Sequence, residues 1–340
     1  MKAKVNCEVI INAVANLDNI VKEKDVVLHH TQFYLNNGFL HATDGRMIVG
    51  CPINLKPKMG VFIPGKQFVR IINNMPLVDK PVAMELTDDY TTLIIKVANF
   101  KAKIKVEVEG DLKVYTPISY NRTLCMDDKL IDRLYAVRPF ISDNATRPWA
   151  LGAYINDGKI FATNNVSLVE TKINKGWSGL LPYWAIDFIL GQTAELKGFF
   201  TTDKVAAFYW KDNTWMQAKL LVGEFPKSAI EMLNKTIGKK LTHKLSEEWK
   251  ATYFRIAALS EEKISIYKDK IFTGDESNYA EEEIKTSLPK DIQMTLWNEK
   301  FLSKVITVAT SWSPQTKTPT PFIGDNIRGM MVGLRIDTST

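Results

Sequence analysis

The stretch Gly60–Lys66 has a spacing that could bind a nucleotide, because its glycines and lysine spell the GxxxxGK start of a phosphate-binding loop. Such a loop needs a serine or threonine after the lysine to hold magnesium, and this chain has Gln67 there. The run Val61–Ile63 between the glycines is apolar and predicts a strand, not a flexible loop whose amides face phosphate. The sequence therefore leaves a nucleotide-binding enzyme that uses Gly60–Lys66 only as the weakest alternative function.

The histidines and the common catalytic signatures give no better support for an enzyme. His29, His30, His41 and His243 lack the spacing to cysteines or carboxylates that metal sites show. No GxSxG or HExxH pattern occurs in the chain. We therefore expect no catalytic centre, no metal site and no cofactor.

Basic residues recur with helical spacing along the chain. Pairs lie four residues apart on three predicted helices, and one further pair has a looser spacing. For one helix alone, an ordinary solvated face is the common explanation. Recurrence on four of the six predicted helices indicates instead a shared surface for a polyanion. The set comprises Lys66, Arg70, Lys129, Arg133, Lys250, Arg255, Lys300 and Lys304.

The elements that must position these residues form an internal repeat. The stretch Phe39–Ile53 has a second version at Ile160–Ile173, in which Ala42 and Thr43 recur 120 residues later. A third version, Lys270–Ile284, follows about 111 residues beyond the second. Each version has an apolar strand, a polar turn and an alternating second strand, which predict a hairpin. A repeat of this length is a domain-sized module.

The repeat predicts three modules, residues 1–117, 118–235 and 236–340. Each has the size of a domain with its own core. Each follows the order helix, strands, helix, strands, which indicates an antiparallel α+β class. The predicted helices are residues 7–23, 64–75, 125–141, 182–193, 246–259 and 298–312, with Ser246 as a helix N-cap.

Composition excludes several classes of protein. The net charge of +6 is spread evenly, so the chain has no basic tail, and any contact with DNA requires the fold to gather basic residues on one surface. We find no signal peptide and no apolar run long enough to span a membrane. Cys7, Cys51 and Cys125 are odd in number and widely spaced, which fits buried thiols in a reducing cytoplasm.

Over essentially its whole length the chain resembles the bacterial-type DNA sliding clamp, the beta subunit of DNA polymerase III. The motifs that carry the resemblance are Ala42–Arg46 (ATDGR), Thr146–Glu170 (TRPWALGAYINDGKIFATNNVSLVE), Leu220–Leu233 (LLVGEFPKSAIEML) and Met330–Ile336 (MMVGLRI). The resemblance implies a head-to-tail homodimer whose six modules close into a ring, with helices lining the hole. Topology would keep such a ring on duplex DNA, so its phosphate contacts can be weak and independent of sequence.

The resemblance also implies where partners bind. The basic residues on the helices would face duplex DNA, while the replicative polymerase and the clamp loader would insert short peptides into an apolar groove between modules two and three. The positions that match this groove are Ala150, Thr163, Asn165, Val166, Leu168, Met330, Val332, Leu334 and Ile336. The dimer would pair the predicted strand Lys101–Glu109, which carries Ile104, with the region of Ala258 and Leu259 in the other subunit.

Three features depart from the family pattern. The second hairpin turn reads Asn164–Ser167 where the family usually has Asp-Gly-His-Arg, and Asn234 replaces a usual proline. The segment Asp337–Thr340 lies beyond the point where the family commonly stops. These departures fit a divergent clamp, and a virus-encoded member is one hypothesis. A clamp-like ring that serves transcription or repair is an alternative that the sequence leaves open.

Overall fold

The computed structural model describes residues 2–76, 81–109, 115, 124–175, 177–237, 241, 243–267, 269–274, 278–284, 294–315 and 318–334. The chain forms two compact units. Unit 1 comprises Met1–Met126 and Gly191–Leu220, and unit 2 comprises Asp127–Leu190 and Leu221–Thr340. In the described part of the chain, no helix is both long enough and apolar enough to cross a membrane.

Six helices lie where the sequence predicts them, and each is shorter than predicted. Ser246 caps its helix as predicted, because its hydroxyl accepts a hydrogen bond from the amide of Trp249 at 3.1 Å. A further helix, Lys227–Ile237, was not predicted. The helices are α1 (Cys7–Asp18), α2 (Gly65–Asn74), α3 (Leu130–Val137), α4 (Tyr183–Leu190), α5 (Lys227–Ile237), α6 (Glu247–Ala257) and α7 (Glu299–Val308).

The strands confirm the α+β class, because every pairing between them is antiparallel. They are β1 (Lys2–Val5), β2 (Gln32–Asn36), β3 (Phe39–Thr43), β4 (Met47–Pro52), β5 (Gly60–Pro64), β6 (Val82–Leu86), β7 (Thr92–Val97), β8 (Phe100–Lys105), β9 (Glu107–Glu109), β10 (Gly152–Asn156), β11 (Lys159–Thr163), β12 (Ser167–Lys172), β13 (Gly179–Pro182), β14 (Leu196–Thr201), β15 (Val205–Trp210), β16 (Trp215–Lys219), β17 (His243–Lys244), β18 (Lys263–Tyr267), β19 (Lys270–Gly274), β20 (Tyr279–Glu283), β21 (Met294–Asn298), β22 (Ser311–Trp312), β23 (Thr320–Ile323) and β24 (Arg328–Met331).

Unit 1 contains helices α1 and α2 and two sheets. The smaller sheet has the order β1-β6-β7-β8, and the larger has the order β14-β15-β16-β4-β3-β2-β5-β9. The predicted hairpin Phe39–Ile53 is present as β3 and β4. Its second strand pairs with β16, so Ile48 lies opposite Gln217. The helices pack on the buried side of these strands, where Ile10, Leu17 and Phe68 are fully covered.

Unit 2 contains the other helices and repeats this arrangement. Its larger sheet has the order β13-β10-β11-β12-β24-β23-β22-β17, and its smaller sheet has the order β20-β19-β18-β21. The second predicted hairpin is present as β11 and β12, and β12 pairs with β24 as β4 pairs with β16. Each eight-stranded sheet contains strands from two of the modules predicted by the repeat. The division into three modules therefore stays a prediction about the repeat and differs from the two compact units.

Two predicted strands are wrong in their extent. Lys101–Glu109 is not one strand: β8 ends at Lys105 in the smaller sheet, and β9 pairs with β5 in the larger one. The chain changes sheets at Val106, which is 4% exposed. The sequence GMMVGLRI, residues Gly329–Ile336, predicts a last strand over that whole range. The strand ends instead at Met331, after which Leu334 makes a separate bridge to Leu296.

The cysteines differ in their environments. Cys51 is buried, as predicted, and its burial raises the pKa of its thiol to about 12. Cys7 is partly buried and Cys125 is exposed, so the prediction of buried thiols is wrong for Cys125.

Candidate functional site

The stretch that resembles a phosphate-binding loop does not form a loop. Residues Gly60–Pro64 are strand β5, and Gly65 begins helix α2. A Cβ at Gly65 would lie 2.3 Å from a methyl carbon of Val21, so this glycine serves close packing. Lys66 turns away to bond the carboxylate of Asp18 at 2.6 Å. Within the described residues, no cluster of three or more His, Cys, Asp or Glu side chains could hold a metal ion.

The turn of the first hairpin is fixed by two short side chains. The Thr43 hydroxyl donates to the carbonyl of Met47 at 2.7 Å and accepts from the amide of Gly45 at 3.1 Å. The Asp44 carboxylate accepts from the amides of Arg46 and Met47 and from the Arg46 guanidinium. Burial alone would raise the pKa of Asp44, but these hydrogen bonds and the Arg46 charge hold it below its ordinary value.

The turn of the second hairpin has the same bonds. The Thr163 hydroxyl donates to the carbonyl of Ser167 at 2.8 Å and accepts from the amide of Asn165 at 3.1 Å. The Asn164 side-chain oxygen accepts from the amides of Val166 and Ser167. Asn165 has φ of 69°, a left-handed conformation that asparagine tolerates better than most residues. The departure from the family pattern in this turn therefore leaves the turn itself intact.

An apolar cluster lies beside this second turn. Leu168 and Met330 are opposite each other on β12 and β24, and they pack with Phe161, Phe225 and Leu233. Met330 is 7% exposed and Leu168 is 4% exposed, so both belong mainly to the core. Beyond β24 the chain continues to run beside the turn, because the amide of Val332 donates to the carbonyl of Val166 at 3.0 Å.

The predicted groove residues therefore differ in how accessible their side chains are. Val332 and Leu334, which are 53% and 38% exposed, offer apolar surface next to the cluster. Ala150 is fully buried, and the hydroxyl of Thr163 is committed to the turn. Asn165 is exposed at the tip of the turn. Ile336 lies outside the described residues. The accessible apolar part of the predicted groove is its end nearest Val332.

Helix α5 supplies residues beside the predicted groove that the sequence analysis missed. Ile230, Leu233 and Ile237 share one face of the helix and pack on the apolar cluster. Their i, i+3, i+7 spacing after Pro226 is a signal that could have revealed the helix. Asn234 lies in the interior of α5, where a proline would remove a helical hydrogen bond and clash with the preceding turn. The replacement of the usual proline is thus compatible with a helix that continues to Ile237.

A cluster of charged residues around the buried Glu170 lies next to this helix. Glu170 on β12 is 1% exposed, and its carboxylate accepts from the Arg328 guanidinium of β24 at 2.6 Å. The Lys159 ammonium is 3.7 Å from the other carboxylate oxygen. The same guanidinium nitrogen of Arg328 also donates to the Asn234 side-chain oxygen at 2.9 Å. These contacts tie β12, β24 and α5 together beside the groove.

The basic residues of unit 1 that were predicted to meet DNA are paired with carboxylates. The Lys66 ammonium donates to Asp18, and the Arg70 guanidinium lies 3.5 Å from the carboxylate of Glu23. Both members of the Arg70 pair are more than 70% exposed, so solvent weakens that pair. Arg70 is thus available to a phosphate at little cost, and Lys66 is available only if it leaves Asp18.

The predicted basic residues of unit 2 differ widely in environment. Lys250 is 16% exposed and lies 3.8 Å from Glu247, while Arg255 makes a bidentate contact with Glu282. Arg133 is partly buried, and its Nε has no hydrogen-bond partner among the described residues. Burial, with the neighbouring Lys300 charge, lowers the pKa of Lys304.

Lys129 and Lys300 are the most accessible members of the predicted set in unit 2. Both are exposed, and neither side chain forms an ion pair within the described part of the chain. Lys129 precedes helix α3 instead of lying within it, because that helix begins at Leu130. These two side chains can reach a polyanion without breaking an internal contact.

Each unit ends one sheet in an edge strand whose exposed charged side chains all have the same sign. In unit 1, β8 pairs only with β7 among the described strands, and it presents Lys101, Lys103 and Lys105 to solvent. In unit 2, β20 pairs only with β19 within the described ranges, and it presents Glu281 and Glu283. Backbone groups on such an edge are free to pair with another strand.

The residues predicted for the dimer interface are only partly accessible. Leu259 is 68% exposed, and Ala258 is also exposed, just after helix α6. Ile104 is fully buried, so its side chain offers no exposed surface to another subunit, and its predicted place in the dimer interface stays a prediction without support from this burial. The alternation along β8 turns Ile104 into the core and the lysines outward. The edge of β8 can contribute its backbone and its lysines to an interface, but not Ile104.

No family model and no curated protein matches the sequence. Solved structures match along the whole chain. The beta clamp of Helicobacter pylori bound to a DNA ligase peptide has a TM-score of 0.77 at 19% identity, with 99% of this chain and 100% of that chain covered. DNA polymerase III beta of Caulobacter crescentus has a TM-score of 0.78 at 15% identity over the same shares of the two chains. The sliding clamp of Pseudomonas aeruginosa bound to griselimycin has a TM-score of 0.77 at 12% identity, again with 99% and 100% coverage. The chain has the beta-clamp fold.

Proposed function

We propose that this protein is a DNA sliding clamp, a processivity factor for DNA replication that closes around duplex DNA as a head-to-tail homodimer. The observation that carries the proposal is the pair of sheet edges with opposite charge. The lysines of β8 in unit 1 and the glutamates of β20 in unit 2 allow one subunit to pair with the next. Two such contacts related by twofold symmetry close a ring.

The clamp fold supports this proposal, because the match extends from end to end of both chains. Fold alone does not establish function, so the proposal also needs surfaces on this chain that suit the task. The exposed cations Lys129, Lys300 and Arg70 lie on or beside helices, which would line the hole of the proposed ring. Their modest number suits weak, sequence-independent contact with phosphates. We expect no catalytic activity.

The groove beside the second hairpin is proposed to hold short peptides of the replicative polymerase and the clamp loader. Support comes from exposed Val332 and Leu334 next to the Leu168–Met330 cluster. The Helicobacter pylori clamp of the same fold is bound to a DNA ligase peptide. Micromolar affinity corresponds to about 8 kcal/mol, which a few buried apolar side chains can supply.

The proposed ring is tested by reversing the charge of its edges. Wild-type protein is expected to sediment as a dimer, and a Lys103→Glu, Lys105→Glu variant as a folded monomer because glutamates would then face glutamates. Adding Glu281→Lys and Glu283→Lys to the same chain restores opposite charges and should restore the dimer. If the double variant remains dimeric, or if wild type is a monomer at all concentrations, the proposed ring closure is wrong.

A further inference from the structure

The first hairpin has the same backbone frame as the second, and a cavity lies beside it in unit 1. Ile48 pairs with Gln217 as Leu168 pairs with Met330. The amide of Lys219 donates to the carbonyl of Arg46 at 3.0 Å, just as the amide of Val332 donates to the carbonyl of Val166 at 3.0 Å. The hairpin and the strand that pairs with it, β16 in unit 1 and β24 in unit 2, therefore have the same register in both units.

Stacked aromatic rings also lie at corresponding positions beside the two hairpins. Tyr115 stacks on Tyr34 with ring centroids 4.7 Å apart, and Phe225 stacks on Tyr154 at 5.1 Å. Both aromatic pairs lie beside the first strand of their hairpins. Ile48 packs against the Tyr34–Tyr115 cluster. Each unit therefore has an apolar platform formed by a stacked aromatic pair, Tyr34–Tyr115 in unit 1 and Tyr154–Phe225 in unit 2.

A cavity of about 300 Å³ opens on the platform of unit 1. This volume is at the lower end of the range for sites that bind small ligands or single side chains. Apolar groups from Val27, Met47, Ile48 and Tyr115 line it, and the exposed Lys219 also lines it. Val27 is 44% exposed, and its neighbours Val26 and Leu28 are 103% and 57% exposed, so apolar surface continues outside the cavity.

The two sites differ in charge at equivalent positions. Where the site in unit 2 has Val166, Met330 and Val332, the site in unit 1 has Arg46, Gln217 and Lys219. Arg46 is half-exposed and is held by Asp44 at 2.6 Å. Lys219 is exposed, and its side chain has no ion pair within the described residues. The site in unit 1 therefore combines an apolar cavity with an excess positive charge at its rim.

We propose that this cavity is a second peptide-binding site, which takes a short linear segment of a partner protein with an apolar side chain next to an acidic one. The apolar side chain enters the cavity that Val27, Met47 and Ile48 line. The carboxylate pairs with Lys219. A DNA backbone would gain nothing from the apolar cavity, whereas a peptide of this composition uses both the cavity and the charge. Each chain would then hold two partner segments of different chemistry.

This inference rests on the proposed function only for the identity of the partner as a protein segment. The experiment therefore measures binding at the cavity of unit 1 and at the groove of unit 2 separately. A random dodecapeptide library displayed on phage is selected on a Val332→Asp, Leu334→Asp variant, whose groove in unit 2 is blocked. Enriched peptides should carry an apolar residue beside aspartate or glutamate. With wild-type protein labelled at isoleucine and leucine methyl groups, they should shift the Ile48 signal. Duplex DNA should not compete.

Lys219→Glu should weaken binding of these peptides about fivefold or more, because it replaces an attraction at the rim by a repulsion. Lys4→Glu is the matched control, an exposed lysine of the same unit on β1, and it should leave the affinity unchanged. No enrichment, enriched peptides without acidic residues, or equal binding to the Lys219 variant would each overturn the proposal.

The two proposals fail in distinguishable ways. If polymerase peptides shift Leu168 while no peptide shifts Ile48, the second site is absent and the proposed function stands. If selected peptides shift Ile48 while no replication peptide shifts Leu168, the second site stands and the proposed partner groove fails.

Discussion

At the scale of single residues, His41 shows how the two hairpins diverged in chemistry. It occupies the position that Phe161 holds in the second hairpin, and it is 4% exposed. Tyr115 and Trp215 surround its ring at 5.7 Å. Burial lowers the pKa of His41 to about 4, although the bond between its Nδ1 and the Tyr34 carbonyl at 3.0 Å acts in the opposite direction.

His41 should make unit 1 sensitive to acid. Because the pKa of His41 is about 4 in the folded chain and 6.5 when unperturbed, the unfolded chain binds the proton more readily between these values. Its contribution to stability is present above pH 6.5 and is lost as pH falls through about 4. Across this window the loss is about 3 kcal/mol.

The check is a His41→Phe variant, which copies the second hairpin. Its free energy of unfolding, followed by hydrogen exchange of strand β3, should fall less steeply with decreasing pH than that of wild type. Parallel pH profiles for the two proteins would show that His41 is not held neutral.

At the scale of elements, helix α5 is the part of the candidate site that depends most on one substitution. Asn234→Pro would restore the family's usual residue but break a helical hydrogen bond, and it should cost about 3 kcal/mol. Asn234→Ala keeps the helix and removes only the exposed hydrogen bond to Arg328, so it should cost about 1 kcal/mol or less. Denaturant unfolding measures both. A proline variant as stable as the alanine variant would mean that α5 ends before Asn234.

The segment that follows β24 should govern peptide binding. Val332→Asp with Leu334→Asp changes exposed side chains, so the protein should stay folded and dimeric while a tail peptide of the cognate polymerase binds at least about tenfold more weakly. Val222→Asp is the control, because Val222 is a 91% exposed valine in the same unit. Calorimetric titration gives the affinities. Equal affinity for all three proteins would place the partner site elsewhere.

Patterns in the sequence predict where helices and strands lie better than they predict which side of each element is exposed. The hairpin repeat and six helices follow from periodicity and turn residues, which are local signals. Alternation shows which residues share a face but not which face meets the core, so it could not show that Ile104 is buried. The change of sheets at Val106 and the ion pair of the buried Glu170 with Arg328 depend on contacts between distant segments, which no local pattern contains.

At the scale of the whole molecule, DNA binding should depend on the cations that are free of internal ion pairs. The double variant Lys129→Ala, Lys300→Ala should bind DNA with a weaker dependence on salt. The slope of log affinity against log salt concentration should fall by about one for each phosphate that these lysines no longer neutralise. Lys250→Ala is the control, because Lys250 is largely buried beside Glu247. Affinity for linear duplex measured over a series of salt concentrations decides the matter. An unchanged slope in the double variant would exclude these two residues from the DNA surface.

The central claim is that the protein stays on DNA by encircling it. The direct measurement is the fraction of protein that stays on nicked circular DNA. The protein is first loaded by the clamp loader from the same cells in the presence of ATP, and the DNA is then washed at high salt. We predict that the protein remains on the circle, leaves when a restriction enzyme linearises it, and is retained on linear DNA whose ends are blocked by bulky proteins. Loss from the intact circle at the same rate as from open linear DNA would contradict the account.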